Sequence, residues 1–361
     1  MGREKNSFKQ LIKMLPEGWE EKARELGAIR RAREIKTPEE LLRLILLYLT
    51  EGKSMAGTSA ITNLSGEATM SKVSVFKRIR NSGDWLHWMC KNIYSRAGLL
   101  IEKPDWLKGK DVLLVDGSKD GKTGEKLQYY ILHYCIELFT LTIREFLITE
   151  EKTGEKLSNF KGFGKNDIVI ADRAYGTLTG ISHLRKSKAD YILRLRAEAF
   201  NIYDEKGEKI DFAKQFSRLL AWNCGDITGW CDINGEKTPV RICALRKDTL
   251  NECLGLQRLK ERKGCKQRKV NLVSALQTEY NKYIIVATSL GKEVSAEQIL
   301  QLYRTRWQIE IAFKRLKSIF EYNQMPARKP ENIKTWFYGK LLLAALCETL
   351  VNTGRFSPQK K

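Results

Sequence analysis

Two short apolar runs, each closed by an aspartate, constrain this chain more than any other feature. Asp111-Val-Leu-Leu-Val-Asp116 and Asp167-Ile-Val-Ile-Ala-Asp172 are continuously apolar between polar ends. Runs of this kind mark strands buried on both faces, which need a sheet covered on both sides. Side chains alternate along a strand, so Asp111 and Asp116 point to opposite faces, as do Asp167 and Asp172. Only one member of each pair can serve a common site. A lone aspartate at a strand end is ordinarily a turn-former. If the two strands lie side by side, however, Asp116 and Asp172 meet at one end of the sheet.

The neighbouring segments agree with a sheet. Gln128–Cys135 and Ile136–Leu147, rich in Tyr, Ile, Leu, Phe and Thr, read as two more strands. Thr153-Gly154-Glu155 opens a helix to Phe160, which makes Glu155 either a supporting residue beside the carboxylates or, as the favoured reading, a helix-start acid that partners that helix's dipole. Tyr175–Ser187 reads as helix and Asp190–Arg196 as strand. A strand meander followed by alternating helices and strands predicts a mixed α/β sheet.

The regions on either side differ in texture. Residues 1–105 read as helical: Thr37-Pro38-Glu39-Glu40 is a capping box with proline at the first helical position. Ser71 to Arg80 is a short basic helix with Val73, Phe76 and Ile79 inward and Lys72, Lys77, Arg78 and Arg80 outward. That is how a helix-turn-helix DNA reader looks, and also how an amphipathic helix with a solvated face looks. Residues 106–197 hold the aspartate-ended strands. Residues 198–282 read as a β-rich insertion, broken by Asp204-Glu-Lys-Gly207 and Asn234-Gly235, then a basic stretch that includes Arg258, Arg262 and Lys263. Residues 283–325 carry a strand, Tyr283–Ser289, and a long helix from the Ser295-Ala-Glu-Gln298 cap to about Phe320. Residues 326–361 hold a C-terminal helix and a basic tail.

Charge narrows the function classes. The 361 residues include 64 Lys+Arg against 43 Asp+Glu, a formal net charge of +21. Hydrophobic residues make up 42 %, so the excess charge decorates folded domains rather than a disordered polycation. A polyanionic partner is the foremost explanation, because each cation near a phosphate releases a condensed counterion. No run approaches the roughly 18 apolar residues of a spanning helix. The opening Met1-Gly2-Arg3-Glu4-Lys5 has no apolar signal core, so the expectation is a soluble cytoplasmic protein without membrane contact. The eight cysteines contain no Cys-x-x-Cys pair, and the three histidines are not spaced to complete a zinc site. Five cysteines between 224 and 265 read as reduced core thiols.

The long helix carries Tyr303, Arg306, Glu310 and Lys317 in the spacing Y-x2-R-x3-E-x6-K. At 3.6 residues per turn these four fall within roughly 60° on one face. Taken alone this is an ordinary charged helix face. Beside Asp116 and Asp172, Glu310 completes a set of three carboxylates. Such a set holds two divalent ions about 4 Å apart, the arrangement that clamps attacking and leaving oxygens in phosphoryl transfer. Oxygen donors with few histidines favour Mg2+, with Mn2+ as a substitute, over zinc.

With Val-Asp116-Gly-Ser, Ile-Ala-Asp172-Arg-Ala-Tyr-Gly and the Tyr-Arg-Glu-Lys row, residues 105 to 325 resemble the DDE transposases of bacterial insertion-sequence family four. Thr153-Gly-Glu-Lys-Leu157 also resembles that family's lead-in to the second aspartate. Ala174 departs from it, standing where many relatives have glycine. The resemblance implies an RNase H-like mixed sheet with helices on both faces, interrupted by a β-rich insertion and preceded by a helical DNA-binding region. It implies that Asp116, Asp172 and Glu310 are catalytic and bind two Mg2+ ions. It implies DNA contacts for Tyr303, Arg306 and Lys317, with Trp307 stacking near a displaced base. Arg258, Arg262, Lys263, Lys77 and Arg78 are the further candidates for DNA contact. The implied activity is cleavage at the terminal inverted repeats and transfer of the 3′-OH ends to target DNA, by a homodimer in a synaptic complex at the bacterial nucleoid. Two alternatives share part of the pattern. Another RNase H-like nuclease or resolvase needs the carboxylates but not the Tyr/Arg/Lys companions, and a catalytically silent transposase-derived regulator binds DNA without cutting it.

Overall fold

The computed structural model describes residues 8–52, 54–66, 68–94, 102–120, 130–196, 200–264, 273–319 and 330–355. Eight strands make one sheet: β1 (Asp111–Asp120), β2 (Tyr130–Glu137), β3 (Ile143–Glu150), β4 (Asp167–Ala171), β5 (Asp190–Arg194), β6 (Cys224–Ile233), β7 (Glu236–Arg246) and β8 (Tyr283–Thr288). Their order is β3-β2-β1-β4-β5-β8-β7-β6. The first three form an antiparallel meander. β4 and β5 then run parallel to β1, and β8, β7 and β6 return antiparallel. This mixed architecture fits the RNase H-like expectation.

Both faces of the central strands are covered, as their unbroken apolar runs require. Val112, Leu114, Ile168 and Ile170 enter one core, and Leu113, Val115, Val169 and Ala171 enter the other. Helices α1 (Trp19–Glu25), α2 (Pro38–Leu47), α3 (Met55–Leu64), α4 (Lys72–Asn81) and α5 (Gly83–Tyr94) precede the sheet. Helices α6 (Leu178–Lys186), α7 (Phe212–Phe216), α8 (Thr249–Gly264) and α9 (Ala275–Asn281) interleave with the strands. Helices α10 (Ala296–Arg304), α11 (Trp307–Ile319) and α12 (Pro330–Arg355) follow.

The helices before and after the sheet share its first core. Thr335 on α12 donates to the Ile79 carbonyl of α4 at 2.8 Å, and Tyr94 on α5 donates to the Leu341 carbonyl at 3.1 Å. The rings of His87, Phe146 and Tyr338 meet where α5, β3 and α12 join, with centroids 4.8 to 5.7 Å apart. The Thr37 capping box is present, with Glu40 accepting in return from the Thr37 amide. No helix among the described residues is long and apolar enough to cross a membrane.

Several expected elements differ. Residues 153–160 are not a helix but two 3₁₀ turns, Glu151–Thr153 and Leu157–Asn159. Gly154 between them has φ 70°, which a helix cannot contain, while Leu157 and Phe160, three residues apart, are buried together. The strand expected over 136–147 is divided by a turn, because Glu137 ends β2 and Ile143 begins β3. Val73 is exposed; Val75 and Ile79 are the residues α4 buries. Cys231 and Cys243 are buried, but Cys253 is exposed.

The expected long helix also breaks. α10 ends at Arg304, and the amides of Thr305 and Arg306 turn back to carbonyls three residues earlier. The Thr305 hydroxyl takes the Leu302 carbonyl at 2.7 Å, which fixes the tightened turn. In the 198–282 segment, Asn234 and Gly235 both have positive φ, the two-residue turn that suits the twist of a hairpin. That hairpin, β6–β7, pairs through β7 with β8 and so extends the main sheet rather than making a second one.

Gly176 is the tightest backbone contact near the aspartates. A Cβ there would lie 2.0 Å from the Arg194 carbonyl oxygen at the end of β5. Gly176→Ala should therefore destabilise the protein by roughly 3 kcal/mol in urea denaturation, and an unchanged midpoint would contradict this packing.

Candidate active site

The β1–β4 register builds the centre of the site. Val115 lies opposite Ala171, so the next residues, Asp116 and Asp172, stand side by side where the parallel strands end. Each carboxylate is held by a nearby amide: Gly117 N–H donates to Asp116 Oδ1 at 2.8 Å, and Ala174 N–H donates to Asp172 Oδ1 at 2.8 Å. These bonds fix the carboxylates and leave their second oxygens for other partners. Burial, opposed by the Gly117 amide and reinforced by the charge of Asp172, pushes the Asp116 carboxyl up to about 7. The other two aspartates of these runs, Asp111 and Asp167, lie at the far end of the strands and pair with Lys103 and Arg144.

A third carboxylate approaches from α11. Ile309 and Phe313 anchor that helix in the core, with Phe313 5.5 Å from the Tyr134 ring on β2. Glu310, on the adjoining turn, is exposed and ion-paired with Arg306. Arg306 also reaches Asp116 Oδ2 at 3.5 Å, so its guanidinium stands between the two acids. Its side chain is only 16 % exposed, which removes the solvent screening that makes most surface pairs weak.

The oxygen donors suit a hard divalent cation in kind. In arrangement, no three acidic, histidine or cysteine side chains among the described residues converge closely enough to hold a metal ion as they stand. The reason is local. Arg306 stands between Asp116 and Glu310 and is ion-paired with both. Closing the three carboxylates on one point requires that guanidinium to leave.

The remaining expected site residues lie on several different elements. Tyr303 is 5 % exposed, part of the core, with its hydroxyl unpartnered. It is a neighbour of the Arg306 guanidinium, reached from the core side, whereas Glu310 is exposed. Trp307 is 51 % exposed. Lys77 is exposed on α4, whereas Arg78 is half-buried and donates to the Arg31 carbonyl at 2.9 Å. Arg262, Lys263 and Lys317 fall within helices, but their side chains lie outside the described residues.

Arg258 stands on the wall of a cleft of about 840 Å³ that opens beside Asp172, Arg306 and Glu310. Sequence reasoning missed most of this cleft's cations: Arg173, Arg194, Arg196 and Lys247. Arg194 is half-buried, and its Nε has no partner. Burial, then the charges of Arg194 and Arg173, bring the Lys247 ammonium down to about 8. Cations crowded this way form a place for an anion. One signal was available: Arg194 and Arg196 close an apolar strand as the two aspartates close theirs. Glu155 was also misplaced. It sits against β1 beside Gly117, near enough to Asp116 and Asp172 to influence both.

The Asp116 carboxyl binds its proton more tightly in the folded chain than in the unfolded one. Its stabilising contribution is therefore full below the ordinary value of 3.8 and is lost as the pH rises through about 7. Asp116→Asn, which cannot ionise, should match the parent near pH 4 and exceed it at pH 8 in metal-free urea denaturation. The gain is at most roughly 4 kcal/mol, at about 1.4 kcal/mol per pKa unit. Equal stabilities at pH 8 would contradict the environment described for this group.

Comparison with known proteins identifies the family. The family described as "Transposase DDE domain" matches residues 107–346. The transposase for insertion sequence element IS421 of Escherichia coli is 31 % identical over 345 residues, covering 93 % of this chain and 91 % of its own. The transposase for IS1151 of Clostridium perfringens is 26 % identical over 221 residues, covering 56 % of this chain and 45 % of its own. The matched region takes in both aspartate-ended strands, Arg306 and Glu310, and the chain belongs to the DDE transposases of insertion sequences.

Proposed function

We propose that this transposase binds the terminal inverted repeats of its element, cleaves the DNA there by metal-dependent hydrolysis, and joins the freed 3′-OH ends to target DNA. The observation that carries the reading is the placement of Asp116 and Asp172 directly after the last registered β1–β4 pair, Val115 with Ala171, with Arg306 reaching Asp116 and Glu310. Two divalent ions, Mg2+ or Mn2+, would when bound supply positive charge for the attacking and leaving oxygens. Asp116, Asp172 and Glu310 hold them.

Arg306 has a second task. A phosphate beside the cut offers its guanidinium a better fork than the Asp116 and Glu310 pair, since two parallel hydrogen bonds to one anion are strong. Moving to that phosphate, Arg306 leaves Glu310 free to turn towards the aspartates. Tyr303 backs Arg306 from the core instead of contacting DNA itself. Trp307, exposed next to Arg306, is placed to stack on an unpaired base. Arg194, Lys247 and Arg258 carry the strand away through the basic cleft. Arg262, Lys263 and Lys317 extend these contacts, and Lys77 of α4 serves duplex binding outside the cut. Both element ends must be cut together, so the working form is a homodimer.

Asp116→Ala, Asp172→Ala and Glu310→Ala should each abolish Mg2+-dependent nicking of a labelled terminal-repeat duplex while end binding, followed by gel shift, stays near the parent's. Cleavage that survives any one substitution removes that residue from the site. Arg306→Ala should weaken end binding and lower the slope of log K against log salt by about one. An unaltered slope would show that Arg306 never reaches phosphate.

A further inference from the structure

Trp222 is the one aromatic residue of the basic cleft that is largely open to solvent among the described residues. It lines the cleft together with Arg194, Lys247 and Arg258, and it is 52 % exposed. Its backbone is left-handed, with φ 67°, in the turn that leads into β6. A bulky side chain rarely adopts that conformation, which costs about 1–2 kcal/mol. The conformation is held from the end of β7. The Trp222 amide donates to the Arg246 carbonyl at 2.8 Å, and the Arg246 amide donates to the Asn223 carbonyl at 3.1 Å. An indole is thus presented by a costly backbone without being buried in return.

The rest of the cleft indicates what the ring meets. α8 supplies one wall through Asn251, Leu254 and Arg258, which share a helix face. That wall is tied to α9, because the Asn281 side chain donates to the Glu252 carbonyl at 2.7 Å and the Lys247 ammonium donates to the Asn281 carbonyl. Leu254, like Trp222, leaves apolar surface open to the cleft. Arg194 Nε, buried at the end of β5, has no hydrogen-bond partner. Cations beside open apolar surface suit a ligand that alternates charged groups with flat apolar ones. A duplex keeps its base faces stacked on one another, whereas an unpaired strand offers both phosphates and base faces.

We propose that the basic cleft binds an unpaired stretch of DNA strand, with Trp222 as the platform on which one of its bases stacks. The assignment rests on the reading of this cleft as the path of the cut strand, and it specifies that strand as single there. Arg194, Lys247 and Arg258 take the phosphates, and the indole takes a base face. Every base has such a face, so the contact tolerates any sequence. Asp172, Arg306 and Glu310 line the same cleft, so the unpaired stretch adjoins the carboxylates. The strain at Trp222 is part of presenting the ring to it.

The test is binding of the full-length protein, in metal-free buffer, to three fluorescein-labelled probes followed by anisotropy: a single strand, a strand of abasic residues of the same length, and the corresponding duplex. Trp222→Ala should weaken binding of the base-bearing single strand about tenfold. It should leave the abasic strand, the duplex and the slope of log K against log salt unchanged, since no cation is lost. Trp222→Phe, which keeps a ring, should retain most of the affinity. Arg258→Ala and Lys247→Ala should each weaken both single strands and lower the slope by about 0.7. If those two variants weaken binding while Trp222→Ala binds the base-bearing strand as the parent does, Trp222 is a bystander and this inference falls alone. A loss shared equally by all three probes, in Trp222→Ala and Trp222→Phe alike, would place Trp222 in the fold and also overturn it. If neither Arg258→Ala nor Lys247→Ala changes the binding of any probe, the cleft is not the path of the strand, and that reading falls together with the inference.

Discussion

The parallel pairing of β1 with β4 is the constraint on which the site depends. Five registered pairs, from Asp111 with Asp167 to Val115 with Ala171, leave Asp116 and Asp172 level with each other. Side chains in a strand alternate, so a slip of one residue would turn one aspartate to the opposite face and disperse the pair. The register is secured by cores on both sides, because Val112 and Leu114 must meet one set of helices and Leu113 and Val115 the other. The position of the acidic centre is therefore a consequence of apolar packing. Charge does not favour it: burial and the charge of Asp172 push Asp116 towards its neutral form.

That unfavourable centre explains the charge pattern around it. Glu310 comes in on a helix anchored by Ile309 and Phe313, and Arg306 stands between it and Asp116. Immediately beyond, the sign reverses, as Arg173, Arg194 and Lys247 crowd a cleft with too few acids to balance them. Arg306 lies at the border between the two fields. It contacts two of the three expected catalytic carboxylates, Asp116 and Glu310, and also lines the basic cleft. A guanidinium in that position is held by acids on one side and has an anion-binding cleft on the other. By linkage, whatever draws it into the cleft raises the affinity of the acids for a cation, and a cation bound to the acids favours its move.

How far the sequence revealed this arrangement varied with the kind of interaction. The two aspartate-ended strands were legible because continuous apolar runs have few other uses, and their adjacency followed once they were paired. The mixed sheet was legible from the order of meander and alternation. The break at Thr305 and Arg306 was not, because both flanking stretches keep helical periodicity and the turn is tightened by one hydroxyl taking the Leu302 carbonyl. Extending one ideal helix across it placed Tyr303 on the same face as Glu310, whereas Tyr303 is buried and Glu310 exposed. Glu155 was lost for the opposite reason. Thr153-Gly-Glu carries the marks of a helix start, but Gly154 with φ 70° and the joint burial of Leu157 and Phe160 favour 3₁₀ turns. The basic cleft was hard to read because its cations are far apart in the chain: Arg173 follows β4, Arg194 ends β5, Lys247 follows β7 and Arg258 lies on α8.

The covalent order of segments also understates how closely they work together. Composition divides the chain at about 105, 198, 282 and 325, yet a single apolar core contains Ile45 and Trp85 from the first segment, Leu114 and Ile170 from the sheet, Ile309 from the Glu310 helix and Leu342 from the last. The β6–β7 hairpin likewise extends the sheet through β8. The Glu310 helix is wedged between the sheet, through Phe313 on Tyr134, and the core that α12 shares with α4 and α5. A displacement of the N-terminal helices would therefore reach Glu310 through packed side chains, since close-packed interiors transmit strain. The N-terminal helices, the Glu310 helix and the aspartate-bearing strands thus meet in one packed core, so none of them is free to shift without the others.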